Sequence, residues 1–173
     1  MNEPDIAWLN RLLEHEAIEK FRGCCGSDAW CQAMIHHRPF SSLAELHRHA
    51  DEAMNRLSDH DWKQAFDSHP QIGDLKSLRM KFSGNKDWSA AEQSGIASAN
   101  DEILMELAKG NADYLAKFGF IFIICASGKS AAEILSALRR RLPLDAAVEV
   151  GNAAAEQRKI THLRIDKLER TKP

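Results

Sequence analysis

The stretch Ser68-His69-Pro70-Gln71-Ile72-Gly73-Asp74 places an imidazole where the backbone cannot continue a helix. Proline fixes its own φ and drives the preceding residue out of the α region, so His69 is expected at or just past a helix end, where its ring can face a cleft. With an ordinary pKa near ~6.5, such a ring can both accept and donate a proton around neutrality, which suits general acid/base catalysis. A capping or hydrogen-bonded loop histidine would use the same residues, and the stretch alone does not separate the two.

Three other constellations invite chemistry. Ser89-Ala90-Ala91-Glu92-Gln93 carries a hydroxyl and a carboxylate three residues apart, but that is also capping-box spacing at a helix start. Gly128-Lys129-Ser130 suggests a phosphate loop and fails, because the pattern requires a glycine five positions before Gly128 and Ile123 stands there. Cys24, Cys25, Cys31, His36 and His37 crowd one segment. Their spacing fits no standard zinc pattern, and free cysteine is a common core residue, so no metal is assigned.

The whole chain bounds these readings. At 173 residues it suits a single domain, 1–173, with one well-buried core. A formal charge of −2 gives no support for nucleic acid or an anionic membrane as partner. Arg139-Arg140-Arg141 is a dense basic run, placed near an expected helix end where cations complement the macrodipole. The beginning of the chain has no apolar signal region, the end is not a peroxisomal Ser-Lys-Leu address, and no apolar run could span a bilayer. The four cysteines form no regular framework, so a reducing cytoplasm is expected.

The elements that would position the candidates read as helices. Ile6, Leu9, Leu13, Ala17 and Phe21 recur at helical steps behind Asp5, predicting one first helix to about Gly23. Gly26-Ser27 opens a second, through Trp30, Ala33 and Met34 and closed before Pro39. Ser42 with Glu45 forms a capping box ahead of the stripe Leu43, Leu46, Ala50, Met54 and Leu57. Ser58-Asp59-His60-Asp61 caps the helix that carries Trp62, Ala65 and Phe66 and delivers His69.

Leu75 to Trp88, basic through Lys76, Arg79, Lys81 and Lys86, reads as a solvated loop. The next helix starts at Ser89, runs through Ile96, Ile103, Leu104 and Leu107, and stops at Gly110, with one or two further turns over Asn111 to Lys117. Phe118 to Ala126 is the most apolar run. Without a partner strand it reads as a buried extended connector whose backbone amides are open to a ligand. Ser130 with Glu133 caps a helix through Ile134, Leu135, Leu138 and Leu142, closed by Pro143. A last helix, about Asp145 to Leu168, carries Val150, Ala153, Ala154, Ile160 and Leu163, with Gly151-Asn152 as a weak point. The expected fold is an all-α bundle of about eight helices. The remaining histidines (His15, His36, His37, His47, His49, His60, His162) read as surface or hydrogen-bonded groups, and Trp8, Trp30, Trp62 and Trp88 as packing.

Four motifs occur in order: His69-Pro70-x-Ile72-Gly73-Asp74, Ser89-x-x-Glu92-Gln93, Asn111-x-x-Tyr114-x-x-Lys117-Phe118-Gly119-Phe120-x-Phe122 and Lys159-Ile160-x-x-x-Arg164. Together they resemble the 2-oxo-4-hydroxy-4-carboxy-5-ureidoimidazoline (OHCU) decarboxylase family of urate breakdown, over nearly the whole chain. The resemblance implies an all-helical enzyme without metal or organic cofactor. It implies His69 and Glu92 as catalytic, and Pro70, Ser89, Gln93, Arg164 and the backbone of Phe122, Ile123 and Ile124 as substrate-binding. The chain carries Ile121 where the family often has proline and Gln71 where arginine is common. Animal and plant members are often peroxisomal, whereas this chain reads as a bacterial-type cytosolic enzyme.

The implied substrate carries its carboxylate and hydroxyl on one ring carbon, next to a carbon that can accept the electron pair left when carbon dioxide departs, and that built-in electron sink would let the reaction run without a cofactor. His69 would act as general acid/base, Glu92 and Gln93 would hold the ureido nitrogens and ring edge, and Arg164 would bind a ring or ureido oxygen. Clamping the departing carboxylate would stabilise the ground state as much as the transition state. The plainer role for Arg164 is an ion pair with an acid on the last helix. Rival readings are a non-catalytic helical module binding a ureide or a partner, and a metal-dependent hydrolase built on the Cys24 to His37 segment. A two-fold homodimer is the prior for assembly.

Overall fold

The computed structural model describes residues 4–70, 75–82 and 90–168, with side chains described over 4–70, 75–82 and 101–168. These contain nine helices and no strand: α1 (Ile6–Arg11), α2 (Glu14–Cys24), α3 (Asp28–His36), α4 (Leu43–Met54), α5 (Asp59–Asp67), α6 (Leu75–Phe82), α7 (Ala90–Phe118), α8 (Ala131–Arg141) and α9 (Ala146–Asp166). The all-α expectation holds. None of the described helices is long and apolar enough to cross a membrane. The chain falls into two compact units, Met1–His69 with Val150–Pro173, and Pro70–Glu149.

In the first unit α3 packs against α2, α4 and α5. Phe21, Trp30, Met34, Leu46, Met54 and Phe66 are fully buried there, and the Trp30 indole N–H donates to the Ala50 carbonyl at 3.1 Å, so its polar edge enters the core satisfied. Where one first helix was expected there are two. The Glu16 carboxylate accepts the Leu13 N–H at 2.9 Å and starts a fresh helix, which turns Leu13 outward, 62% exposed. The box at Ser42 is only half as expected: Ser42 Oγ accepts the Glu45 N–H, but the Glu45 carboxylate reaches past Ser42 to the N–H of Ser41 at 2.6 Å. The Ser58–Asp61 box is complete, with Asp61 accepting the Ser58 N–H at 2.9 Å.

In the second unit α7 packs on both α6 and α8. The solvated loop expected from Leu75 is helical as far as Phe82; 83–88 lie outside the described residues. Gly110 does not end α7. A glycine inside a long helix costs only ~1 kcal/mol relative to alanine, and here Leu138 of α8 packs onto the bare Cα, a Cβ at Gly110 meeting it at 2.6 Å. The helix stops instead at Gly119, whose φ of +75° supplies the left-handed cap that other residues resist. Residues 119–130 then run without helix or strand, bearing out the extended connector, with Phe120 and Ile123 buried. The Ser130–Glu133 box opens α8 as expected.

Helix α9 is continuous through Gly151-Asn152. Its inward face differs from the expected apolar stripe: Val150, Ala153, Gln157, Thr161 and Ile165 are buried, whereas Leu163 is 37% exposed. With Glu149, also wholly buried on this helix, three polar side chains thus occupy core positions, a choice that has to be explained by their partners.

Candidate active site

Helix α5 delivers His69 by fraying into a tighter turn: the Ser68 N–H donates to the Ala65 carbonyl at 3.3 Å and the His69 N–H to the Phe66 carbonyl at 3.1 Å. The bend before Pro70 follows from proline sterics. Ser68 is pressed against the loop after α2, where a Cβ on Gly26 would lie 2.3 Å from both Ser68 Cβ and Oγ.

The half-buried His69 ring meets α9 through its Nε2, 2.5 Å from Gln157 Oε1. Gln157 and Thr161 are wholly buried one turn apart. Gln157 Nε2 donates to Thr161 Oγ1 at 3.2 Å, and that hydroxyl lies 2.9 Å from the Gln157 carbonyl and 3.3 Å from the Cys24 carbonyl. A chain of polar contacts therefore runs from the end of α2 through α9 to the ring. One turn further along, Arg164 Nη1 donates to the carbonyls of Gly23 and Cys24 at 3.3 and 3.5 Å, long bonds to the carbonyl end of α2. The acidic partner expected on α9 is not among its described contacts, so among the described residues most of its donors are uncommitted.

Two effects oppose each other at His69. The carbonyl end of α5 and the bond to Gln157 favour a protonated ring, but burial and the positive charge of Arg164 outweigh them and hold the His69 pKa below its usual value. The ring is neutral at neutral pH and ready to accept a proton.

The expected backbone contributors lie in the second unit. Arg141 Nη1 donates to the Ile123 carbonyl at 2.7 Å, and its guanidinium stacks over the Phe122 ring at 4.5 Å. Arg141 is held in turn by the wholly buried Glu149, which accepts from Arg141 Nε at 2.7 Å and from the Tyr114 hydroxyl. Burial foremost, and then the adjacent carboxylate, push the Tyr114 pKa up, so the phenol stays a donor. No described hydrogen bond engages the Ile124 N–H.

The structure thus gathers His69 and Arg164 in one unit and describes Phe122, Ile123 and Ile124 in the other, which begins at Pro70. Ser89 lies outside the described residues, as do Gln71 to Asp74, and Glu92 and Gln93 are described only as backbone of α7. Sequence reasoning missed Gln157, Thr161, Arg141 and Glu149. The available signal was the step of four from Gln157 to Thr161, with Arg164 seven past Gln157, a polar line along a helix otherwise judged by its apolar residues. Cys24, Cys25 and Cys31 are buried free thiols, with Cys24 and Cys31 pushed up to about 12 chiefly by burial. Among the described residues no three His, Cys, Asp or Glu are arranged to hold a metal ion.

The family model for OHCU decarboxylase matches residues 10–166. The chain belongs to the OHCU decarboxylase family. The uric acid degradation bifunctional protein of Arabidopsis thaliana is 41% identical over 154 residues, 87% of this chain but only 46% of that protein, so this chain spans about half its length. The 2-oxo-4-hydroxy-4-carboxy-5-ureidoimidazoline decarboxylase of Mus musculus is 29% identical over 138 residues, 79% of this chain and 76% of that one. A crystal structure of OHCU decarboxylase in the presence of (S)-allantoin superposes with a TM-score of 0.69 at 38% identity, covering 86% of this chain and 96% of that one. Membership of the OHCU decarboxylase family makes this chain a carboxy-lyase of purine catabolism and agrees with the resemblance carried by the four motifs.

Proposed function

We propose that the chain decarboxylates OHCU to (S)-allantoin without a cofactor, with His69 as general acid/base. The observation that carries this is the half-buried, hydrogen-bonded imidazole at the end of α5, kept neutral by burial and by Arg164, in a chain whose family match spans nearly its full length. The carboxylate-bearing carbon of OHCU also carries a hydroxyl and adjoins a C=N bond. As the bond to carbon dioxide breaks, its electron pair forms a carbon–carbon double bond and the C=N pair moves onto nitrogen, which takes up one proton from water. The hydroxyl then loses its proton to become the allantoin carbonyl, and the neighbouring carbon gains one. A single imidazole can take the first proton and supply the second to one face.

Glu92 and Gln93 serve to hold the ureido nitrogens, with Glu92 the second catalytic group. Ser89, Pro70 and the backbone of Phe122, Ile123 and Ile124 complete the substrate contacts, and Arg164 binds a ring or ureido oxygen. The uncommitted donors of Arg164 support that role, since a planar guanidinium presents paired N–H groups to oxygen. Residues 1–173 act as one catalytic domain, in the cytoplasm, as a two-fold homodimer. The test is direct. Purified protein, exhaustively chelated, is mixed with freshly generated OHCU, whose loss should far outpace spontaneous decay; decay at the spontaneous rate would overturn the proposal.

A further inference from the structure

Gln157 and Thr161 are buried polar residues for which the reaction as written above has no use. A wholly buried amide and hydroxyl have to be satisfied, and the way they satisfy each other constrains the ring next to them. Thr161 carries one hydroxyl hydrogen. Its oxygen lies 2.9 Å from the Gln157 carbonyl and 3.3 Å from the Cys24 carbonyl, and both of those groups can only accept. The Cys24 carbonyl closes α2 and has no following turn to donate to it within that helix. The hydroxyl hydrogen has these backbone oxygens and the Cys25 sulfur to turn to, and toward the Gln157 side chain, at 3.2 Å, Thr161 accepts. That orients the amide: its NH2 faces Thr161 and its oxygen faces His69.

An amide oxygen has no hydrogen to give. The 2.5 Å contact to His69 Nε2 is a hydrogen bond only if that nitrogen carries the proton. A neutral imidazole has one N–H, so Nδ1 then bears the lone pair, and no described hydrogen bond engages Nδ1.

We propose that Gln157, oriented by Thr161, is a positioning residue that holds His69 as its Nε2–H tautomer, so that Nδ1 is the atom exchanging protons with the substrate. The hydroxyl-to-carbon transfer closes on one ring: Nδ1 takes the hydroxyl proton, the ring is briefly cationic, and Nδ1 returns a proton to carbon while Nε2–H never leaves Gln157; the proton that the substrate nitrogen gains comes from water. A neutral amide suits this better than a carboxylate would, because it fixes the tautomer without adding a negative charge that would keep the ring protonated.

The inference rests on the proposed function for its substrate step but not for its structural content, and the experiment separates the two. Long-range proton–nitrogen correlation spectra of ligand-free protein with 15N-labelled histidine, the His69 signals assigned by their loss in His69→Gln, should show Nε2 protonated and Nδ1 bare above the ring's titration midpoint. A ring protonated at Nδ1, or an even mixture, would overturn the inference without any variant being made. Gln157→Glu should keep the Nε2–H form and raise the midpoint by about 1 pH unit or more. Gln157→Leu and Thr161→Val should both admit the second tautomer, and Gln157→Leu should lower kcat about tenfold or more with KM little changed. Unchanged spectra in both, or a change confined to KM, would overturn it. If the wild-type protein consumes no OHCU, the functional reading falls while the spectra still decide which nitrogen holds the proton.

Discussion

Arg141 reaches the connector at Ile123, donating from Nη1 to its carbonyl at 2.7 Å. Because a trans peptide sets its C=O and N–H on opposite sides, fixing that carbonyl turns the Ile124 N–H the other way, away from Arg141. The buried carboxylate of Glu149 and the Tyr114 hydroxyl keep Arg141 in place. Removing one partner of a buried ion pair strands the other, at a cost of ~3–5 kcal/mol, whereas replacing both by apolar residues is often far milder. Arg141→Met should therefore lower the denaturation free energy by about that amount, and Arg141→Met with Glu149→Leu should recover much of the loss. Equal destabilisation of single and double variants would show that the pair is not the organising contact.

Burial, together with the positive charge of Arg164, holds the His69 pKa below the usual value for histidine, with the bond to Gln157 pulling the other way. A step that needs the neutral ring therefore keeps its rate down to a pH below ~6.5 and loses it as pH falls through the depressed midpoint. Arg164→Gln removes a positive charge and should raise that midpoint, read from the ring's nuclear magnetic resonance titration rather than from activity. A midpoint that stays put or falls would contradict the placement of Arg164.

Gly26 has a counterpart in Gly23. A Cβ at Gly26 would sit 2.3 Å from Ser68, the residue before His69, while one at Gly23 meets nothing within 4 Å. Gly26→Ala should cost ~1–3 kcal/mol through enforced backbone shifts and lower OHCU turnover, because it moves the end of α5. Gly23→Ala lies inside α2 and should be neutral or stabilising by up to ~1 kcal/mol. Thermal melts and turnover of the two variants check this side by side; equal behaviour would remove the argument that this contact sets the position of His69.

Cys24 and Cys31 are buried and pushed up to about 12, so almost no thiolate exists at neutral pH. In native protein they should react with an aromatic disulfide reagent only as fast as the fold opens, and rapidly in denaturant. Fast labelling of the folded chain at pH 7 would contradict the burial described.

Much of this was legible where a signal is local. The hydroxyl and carboxylate of Ser130 and Glu133 are three residues apart, and so are those of Ser58 and Asp61; each pair caps its own helix, so spacing alone predicts the cap. The proline after His69 placed that ring at a helix end. The misreadings all involve partners far along the chain or a competing local bond. The break at Leu13 was hidden because the apolar period runs on through it, while the Glu16 carboxylate takes its N–H. Gly110 looked like a stop because its reason for being glycine, Leu138, lies across on α8. Gln157 and Thr161 were passed over because periodicity ranks positions by hydrophobicity, and their partners, His69 and the Cys24 carbonyl, belong to the end of α5 and to α2.

The central claim is that His69 carries protons for a reaction that makes one hand of allantoin. Freshly generated OHCU should be converted by the wild-type protein to allantoin with a strong (S) excess, followed by circular dichroism as the substrate absorbance decays. His69→Ala, at unchanged melting temperature, should lose ~10²–10⁴-fold in rate and leave the product racemic. Racemic allantoin from the wild-type protein, or an undiminished (S) excess from His69→Ala, would contradict the account.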